Sequence, residues 1–117
     1  MADVRQDTGN QARTFKTASI DVAASGDNTI VAAVTSNRIK VHAVVFIATG
    51  TVNVRWKDGA ATNLTGDMNF QAREGYALAV TPPSWILATT AGTALILNLS
   101  AAIAVDGWVS YWDDDTA

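Results

Sequence analysis

The chain has 117 residues, of which 49% are hydrophobic and 16% charged, with a net charge of −3 and no cysteine. A single domain of this length buries roughly 65% of its extended surface, so it can form one hydrophobic core without crosslinks. The acidic balance argues against a nucleic-acid ligand, and the absence of cysteine excludes disulfides and thiol chemistry. So few charged residues in a small domain indicate that a partner covers part of the surface.

The N-terminal region, residues 1–16, is predicted to be a flexible arm. It is polar, has few large apolar side chains besides Val4 and Phe15, and lacks the apolar stretch of a secretory signal. It is either a frayed end or a segment that becomes ordered against a neighbouring subunit. No run approaches the ~20 apolar residues of a membrane helix, so we expect no membrane partner and synthesis in the cytoplasm.

The hairpin over residues 38–57 carries the strongest secondary-structure signal. Apolar residues take every second position from Ile39 to Ile47, and a turn follows at Thr49-Gly50. The same alternation resumes from Val52 to Trp56. Side chains on a strand alternate between faces, so one set is predicted to face the core. The predicted inward set is Ile39, Val41, Ala43, Val45, Ile47, Val52, Val54 and Trp56.

The rest of residues 17–112 predicts an all-β domain of about eight to nine short antiparallel strands, with little helix. Regular spacing and turn residues favour a single β-sandwich, jelly-roll-like, with a Greek-key barrel as the alternative. Residues 113–117 are predicted to be a solvated acidic tail. The strands are predicted over 19–23, 29–35, 38–48, 51–57, 68–72, 76–80, 85–89, 94–100 and 103–112.

Chemically active residues are sparse in this sequence. His42 is the only histidine and has no cluster of acidic residues beside it, so it is predicted to be a surface residue of a strand. Most carboxylates stand next to Gly or Asn, where Asp supports turns. No spacing singles out an acid and a base, so we expect no enzyme, no catalytic residue, no metal and no cofactor.

Apolar residues on the predicted outer faces point to assembly instead. Val44 and Phe46 lie opposite the inward set of their strand, Ile96 does the same in residues 94–100, and Trp108 and Trp112 share the outer face of the last strand. Three alternatives remain for these tryptophans and Trp85. They belong to a subunit interface, they form a sugar-stacking platform, or another strand or the arm covers them. Gly107 predicts a bulge or a close backbone approach. The interface candidates are Val44, Phe46, Ile96, Trp108, Trp112, Arg5 and Arg13.

Five segments resemble small bacteriophage virion structural proteins of the head-decoration or cement type. They are residues 25–34 (SGDNTIVAAV), 37–43 (NRIKVHA), 51–59 (TVNVRWKDG), 63–66 (NLTG) and 91–100 (AGTALILNLS). The chain departs from the usual version in its long polar N-terminus and in its tail, Asp113 to Asp115. The resemblance implies a β-sandwich, a homo-oligomer that is often a trimer, a location in the virion and no catalysis.

The functional expectation combines the residues with this resemblance. We expect a homotrimeric capsid decoration protein that clamps subunits of the major capsid protein or another virion component. The alternative is a carbohydrate- or host-surface-binding module, or another accessory protein of a phage tail or head fibre.

Overall fold

A computed structural model describes residues 13–116, and its regular elements are all β-strands. None of these residues belongs to a helix long and apolar enough to cross a membrane. The strands are β1 (Lys16–Val22), β2 (Gly26–Val31), β3 (Arg38–Ala48), β4 (Val52–Asp58), β5 (Thr62–Asn63), β6 (Met68–Phe70), β7 (Gly75–Ala79), β8 (Leu87–Ala88), β9 (Leu95–Leu99) and β10 (Val105–Asp114).

The strands form two antiparallel sheets. Sheet A has the order β1-β10-β3-β7, with β8 also paired to β3, and sheet B has the order β2-β9-β4-β5, with β6 also paired to β4. The pairs are nested: β1 with β10, β2 with β9, β3 with β7 and β8, and β4 with β5 and β6. One long hairpin rolled into two sheets gives this jelly-roll order. The prediction of a single all-β sandwich is confirmed.

The hydrophobic core lies between the two sheets. The predicted hairpin over residues 38–57 is wrong, because β3 belongs to sheet A and β4 to sheet B, so the turn between them crosses from one sheet to the other. Within β4 the predicted alternation is confirmed, since Val52, Val54 and Trp56 are buried. Trp56 is fully buried, and its indole Nε1 donates a hydrogen bond to Tyr76 Oη at 3.1 Å. Burying the indole while satisfying its one donor makes Trp56 the largest aromatic anchor of the core.

The predicted inward and outward faces of β3 are wrong beyond His42, which itself lies on the outer face as predicted. The ladder between β3 and β10 shifts by one residue, because Tyr111 lies opposite Val41 while Ser110 lies opposite Ala43. His42 is therefore the extra residue of a β-bulge, which reverses the facing of every later side chain in the strand. Val44, Phe46 and Ala48 join the core instead of the outer face, and Ile47 is 51% exposed.

Gly107 allows a close backbone approach, the second of the two predicted alternatives. A Cβ atom at this position would lie 1.9 Å from the carbonyl oxygen of Val45 in β3. No register shift occurs at Gly107 itself. Trp108 and Trp112 therefore keep their predicted place on the outer face of sheet A.

Both predicted ends of the domain differ from the structure. Strand β1 begins at Lys16, inside the predicted arm, and β10 continues to Asp114, inside the predicted tail. The Asp113 carboxylate accepts hydrogen bonds from Lys16 Nζ and from the Asn37 amide, each at 2.8 Å. The prediction of a solvated tail is therefore wrong for Asp113 and Asp114. Arg5 and the rest of residues 1–12 lie outside the described residues.

Candidate interaction surface

The outer face of sheet A, turned away from sheet B, carries an open apolar patch. Trp108 of β10 lies opposite Val45 of β3, and Val45 lies opposite Ala77 of β7. Ile47 is the next outward residue of β3. Trp108 is 42% exposed and Ile47 is 51% exposed. We call Trp108, Val45, Ile47 and Ala77 the open patch.

The same face is closed around Trp112, which is only 2% exposed. Phe15 packs its ring edge-on against the indole at 6.0 Å between centroids, and the Arg13 guanidinium carbon lies 5.3 Å from the ring centroid. The indole Nε1 donates to Asp114 at 2.9 Å. The chain segment that precedes β1 therefore covers Trp112, which was one of the predicted alternatives for this residue.

Lys40 is a buried cation beside Trp112, with 2% of its surface exposed. Its ammonium donates to Asp114 Oδ1 and to Thr116 Oγ1, both at 2.7 Å, and lies 4.8 Å from the Trp85 ring centroid. A buried ammonium needs partners for its donors, and the carboxylate, the hydroxyl and the ring face supply them. Arg13, Phe15, Lys40, His42, Trp112 and Asp114 are called the closed end below.

Hydrogen bonding sets the charge state of the acidic residues at the closed end. Burial opposes ionisation of Asp114, but the hydrogen bonds from Lys40, Thr116 and Trp112 outweigh it and hold the pKa of Asp114 below its ordinary value. The hydrogen bond from Lys16, with a second from Asn37, lowers the pKa of Asp113. Both carboxylates therefore remain charged and stay available to hold the closed end together.

His42 makes contacts that stabilise the closed end. Its Nε2 lies 2.9 Å from the Ser110 hydroxyl, and its ring packs against Phe15 at 5.2 Å and Trp112 at 5.9 Å. Burial lowers the pKa of His42. These partners include no carboxylate to orient the imidazole, so the Ser110–His42 contact lacks the third member of a hydrolase triad. Within residues 13–116, no three His, Asp or Glu side chains come close enough to hold a metal.

The other interface candidates lie elsewhere. Val44 and Phe46 are at most 1% exposed in the core, so the structure corrects their predicted exposure to a partner. Ile96 keeps its place on the outer face of sheet B, between Thr29 and Lys57, but is only 7% exposed. Of the predicted set within the described residues, Trp108 alone has a largely open side chain.

Two features of this surface were missed from the sequence. Ile47 was predicted to face the core, because a bulge at His42 cannot be recognised from the apolar residues that follow it. Strand β7 forms an edge of sheet A, and Leu78 within it is 47% exposed. An uncharged strand (GYALA) was the available signal, since edge strands usually carry charges.

No protein-family model matches the sequence, and a search of the curated proteins found no match. The surface of sheet A and the segments that resemble virion proteins are therefore the features from which a function can be inferred.

Proposed function

We propose that this protein is a non-enzymatic structural protein of a phage virion, a homotrimeric capsid decoration protein that clamps neighbouring capsid subunits. The open patch is the observation that supports assembly. It places a half-exposed Trp and a half-exposed Ile at diagonal positions of two adjacent strands on one sheet face, with Asp106 opposite the Ile. Tryptophan is enriched where protein surfaces meet, and specific interfaces bury about 800 Å² per partner, which would absorb such a patch. The virion setting and the trimer rest on the resemblance.

The closed end is covered by the chain's own residues, which leaves the open patch as the part of this sheet face that a partner can contact. Lys40 and Trp112 are buried and fully bonded within the chain. Repeated weak contacts on a symmetric capsid gain strength through avidity, so each copy needs only a modest apolar patch.

Sedimentation equilibrium at micromolar concentration tests the self-association. The expected mass is that of a trimer or of two trimers joined together, against 12.3 kDa for one chain. Ile47→Asp should shift the protein towards monomer, because a charge in the patch would have to be desolvated on contact. Thr29→Asp is the matched control, since it places the same charge on the exposed outer face of sheet B. A monomeric wild type would contradict the proposal.

Cosedimentation with expanded, undecorated capsids tests the capsid role separately. The wild type should pellet with capsids, and Ile47→Asp should bind less strongly than Thr29→Asp. An oligomer that never pellets with capsids would keep the assembly role and contradict decoration.

A carbohydrate- or host-surface-binding module is the second candidate, favoured by the exposed rings of Trp85 and Trp108. They are 41% and 42% exposed, and exposed indoles stack on sugar rings. Lys40 already lies over the Trp85 ring, so Trp108 would carry most of the binding. Titration calorimetry with cell-surface glycans should then show binding that Trp108→Ala removes and Ile47→Asp retains.

A further inference from the structure

Strand β7 is an unusually open edge of sheet A. It pairs with β3 through a regular ladder from Gly75 to Ala79, and no other described strand pairs with its far side. Its five residues contain no charge, no proline and no bulge. Native proteins normally protect sheet edges with such features, because an unprotected edge pairs with another strand.

The other sheet edges carry this protection. Strand β1 has Lys16 and Asp21, and β2 has Asp27 together with a register shift between Thr29 and Val31. The edge beside β4 is formed by β5 and β6, which have only two and three residues, and β8, which shares the β3 edge with β7, has only two. Among the edges described, β7 is therefore the one suited to pairing with a further strand.

The hydrogen bonds at both ends of β7 show which backbone groups are free. Ala48 N–H donates to the Glu74 carbonyl at 2.7 Å, and Val80 N–H donates to the His42 carbonyl at 2.8 Å. In an antiparallel ladder, residues bond alternately to one side and to the other. The even-numbered residues therefore bond to β3, and the N–H and C=O groups of Gly75, Ala77 and Ala79 point away from it.

We propose that β7 pairs antiparallel with β7 of a second copy of this chain, around a two-fold axis at Ala77. Gly75 then lies opposite the partner's Ala79, and Ala77 lies opposite the partner's Ala77. In this register every outward N–H of the two strands meets an outward carbonyl. Sheet A becomes continuous across the two copies.

The side chains of β7 fit this pairing. Gly75, Ala77 and Ala79 are small and exposed, so nothing on the outer face obstructs a second strand. Leu78 lies opposite Val44 and Tyr76 opposite Phe46, which places both on the core side of sheet A. Leu78, 47% exposed in the single chain, would pack against the partner's Tyr76. Apolar pairs of this kind stabilise antiparallel ladders.

The inference rests on the proposed function, in that it names a surface through which copies meet. The contact is isologous, so it joins copies in pairs, and a trimer would require a second, different contact. It is adjacent to the open patch through Ala77, which contributes its backbone to the edge and its side chain to the patch.

A chain without cysteine allows a direct crosslinking test. In Ala77→Cys, the two introduced thiols would lie opposite each other with Cα atoms about 5.5 Å apart, within disulfide range. Ala79→Cys is the matched control, an exposed alanine on the same face of β7. Its two thiols would stand four residues apart along the paired strands, about 13 Å, which is too far to bridge. Under mild oxidation, we expect covalent dimers from Ala77→Cys at least ten times faster than from Ala79→Cys.

Ala77→Pro gives a second test that leaves the fold intact. Proline removes an N–H that points away from β3, so it deletes bonds between copies and none within the sheet. We expect an unchanged far-ultraviolet circular dichroism spectrum and loss of even-numbered oligomers by native mass spectrometry. Equal crosslinking of the two cysteine variants, oligomers that persist in Ala77→Pro, or a wild type that is purely trimeric would overturn the β7 pairing while sparing the proposed function. A monomeric wild type would contradict both.

Discussion

Trp108 and Trp112 lie on the same face of the same strand, yet only Trp112 is covered. Trp112 is 2% exposed and Trp108 is 42% exposed. The difference comes from the chain ends, since Arg13, Phe15 and Asp114 all contact Trp112. A sheet face with identical alternation is thus divided into a part that stabilises the fold and a part that remains available for contact.

The two parts also differ chemically. The closed end buries a cation and satisfies it with a carboxylate and a hydroxyl, while the open patch consists of apolar side chains bordered by the exposed Asp106. Substitutions at the closed end should therefore change stability, and substitutions in the patch should change association.

Trp112→Ala should have the largest effect. Removing a buried indole leaves a cavity, and we expect a loss of about 3–5 kcal/mol in the free energy of unfolding, measured by urea denaturation. Trp112→Phe is the control, because it keeps most of the packing and loses the hydrogen bond to Asp114. This variant should lose about 1 kcal/mol in the free energy of unfolding. A loss from Trp112→Ala no larger than that of Trp112→Phe would show that the closed end is not packed as described.

Lys40→Met should cost less, about 1–3 kcal/mol, because it keeps the length of the side chain and deletes the charge-assisted bond to Asp114. Asp114 is left partly buried without its cation. Asp114→Asn alone should also destabilise. Because the two residues bond each other, the double variant should lose less than the sum of the single losses in urea melts. Strict additivity would show that the Lys40–Asp114 contact contributes nothing.

Acid should loosen the closed end in two stages. Burial lowers the pKa of His42 from its ordinary 6.5, so the unfolded chain binds that proton more readily and stability falls as the pH drops below 6.5. Asp113 and Asp114 also have lowered pKa values, so their contribution is present above their ordinary 3.8 and is lost as the pH falls through the folded values. Urea midpoints at about pH 7.5, 5 and 2.5 measure both stages. His42→Gln should remove the first decrease and retain the second.

Trp108→Ala should have the smallest effect on folding, below about 1 kcal/mol, because the side chain is about half exposed and its removal leaves no closed cavity. Its effect should appear in sedimentation equilibrium as weaker self-association. If Trp108→Ala destabilised the fold as much as Trp112→Ala, the distinction between the two ends would fail.

Much of the fold could be predicted from local pattern. Strands β3 and β4 form close to their predicted bounds, but they lie in different sheets and do not pair as a hairpin. Trp56 faces the core as predicted, because polar residues between Val52, Val54 and Trp56 permit only one register. Segment bounds were less exact. Strand β2 begins at Gly26, before the predicted strand 29–35, and β5 lies between the predicted strands 51–57 and 68–72, since ladder bonds to β9 and β4 outweigh the local preference of turn residues.

Within β3, the sequence alone determined that Arg38 to Ala48 form a strand, but it left two facings open after Val41. Residues 43–48 are all apolar, so either alternate set could face the core with little difference in burial. Only pairing with β10, which accommodates His42 as a bulge, places Val44 and Phe46 inside and Ile47 outside. Tertiary structure likewise decided which tryptophan is covered, because the contacts of Arg13 and Phe15 with Trp112 span almost the whole chain and leave no periodic signal in sequence.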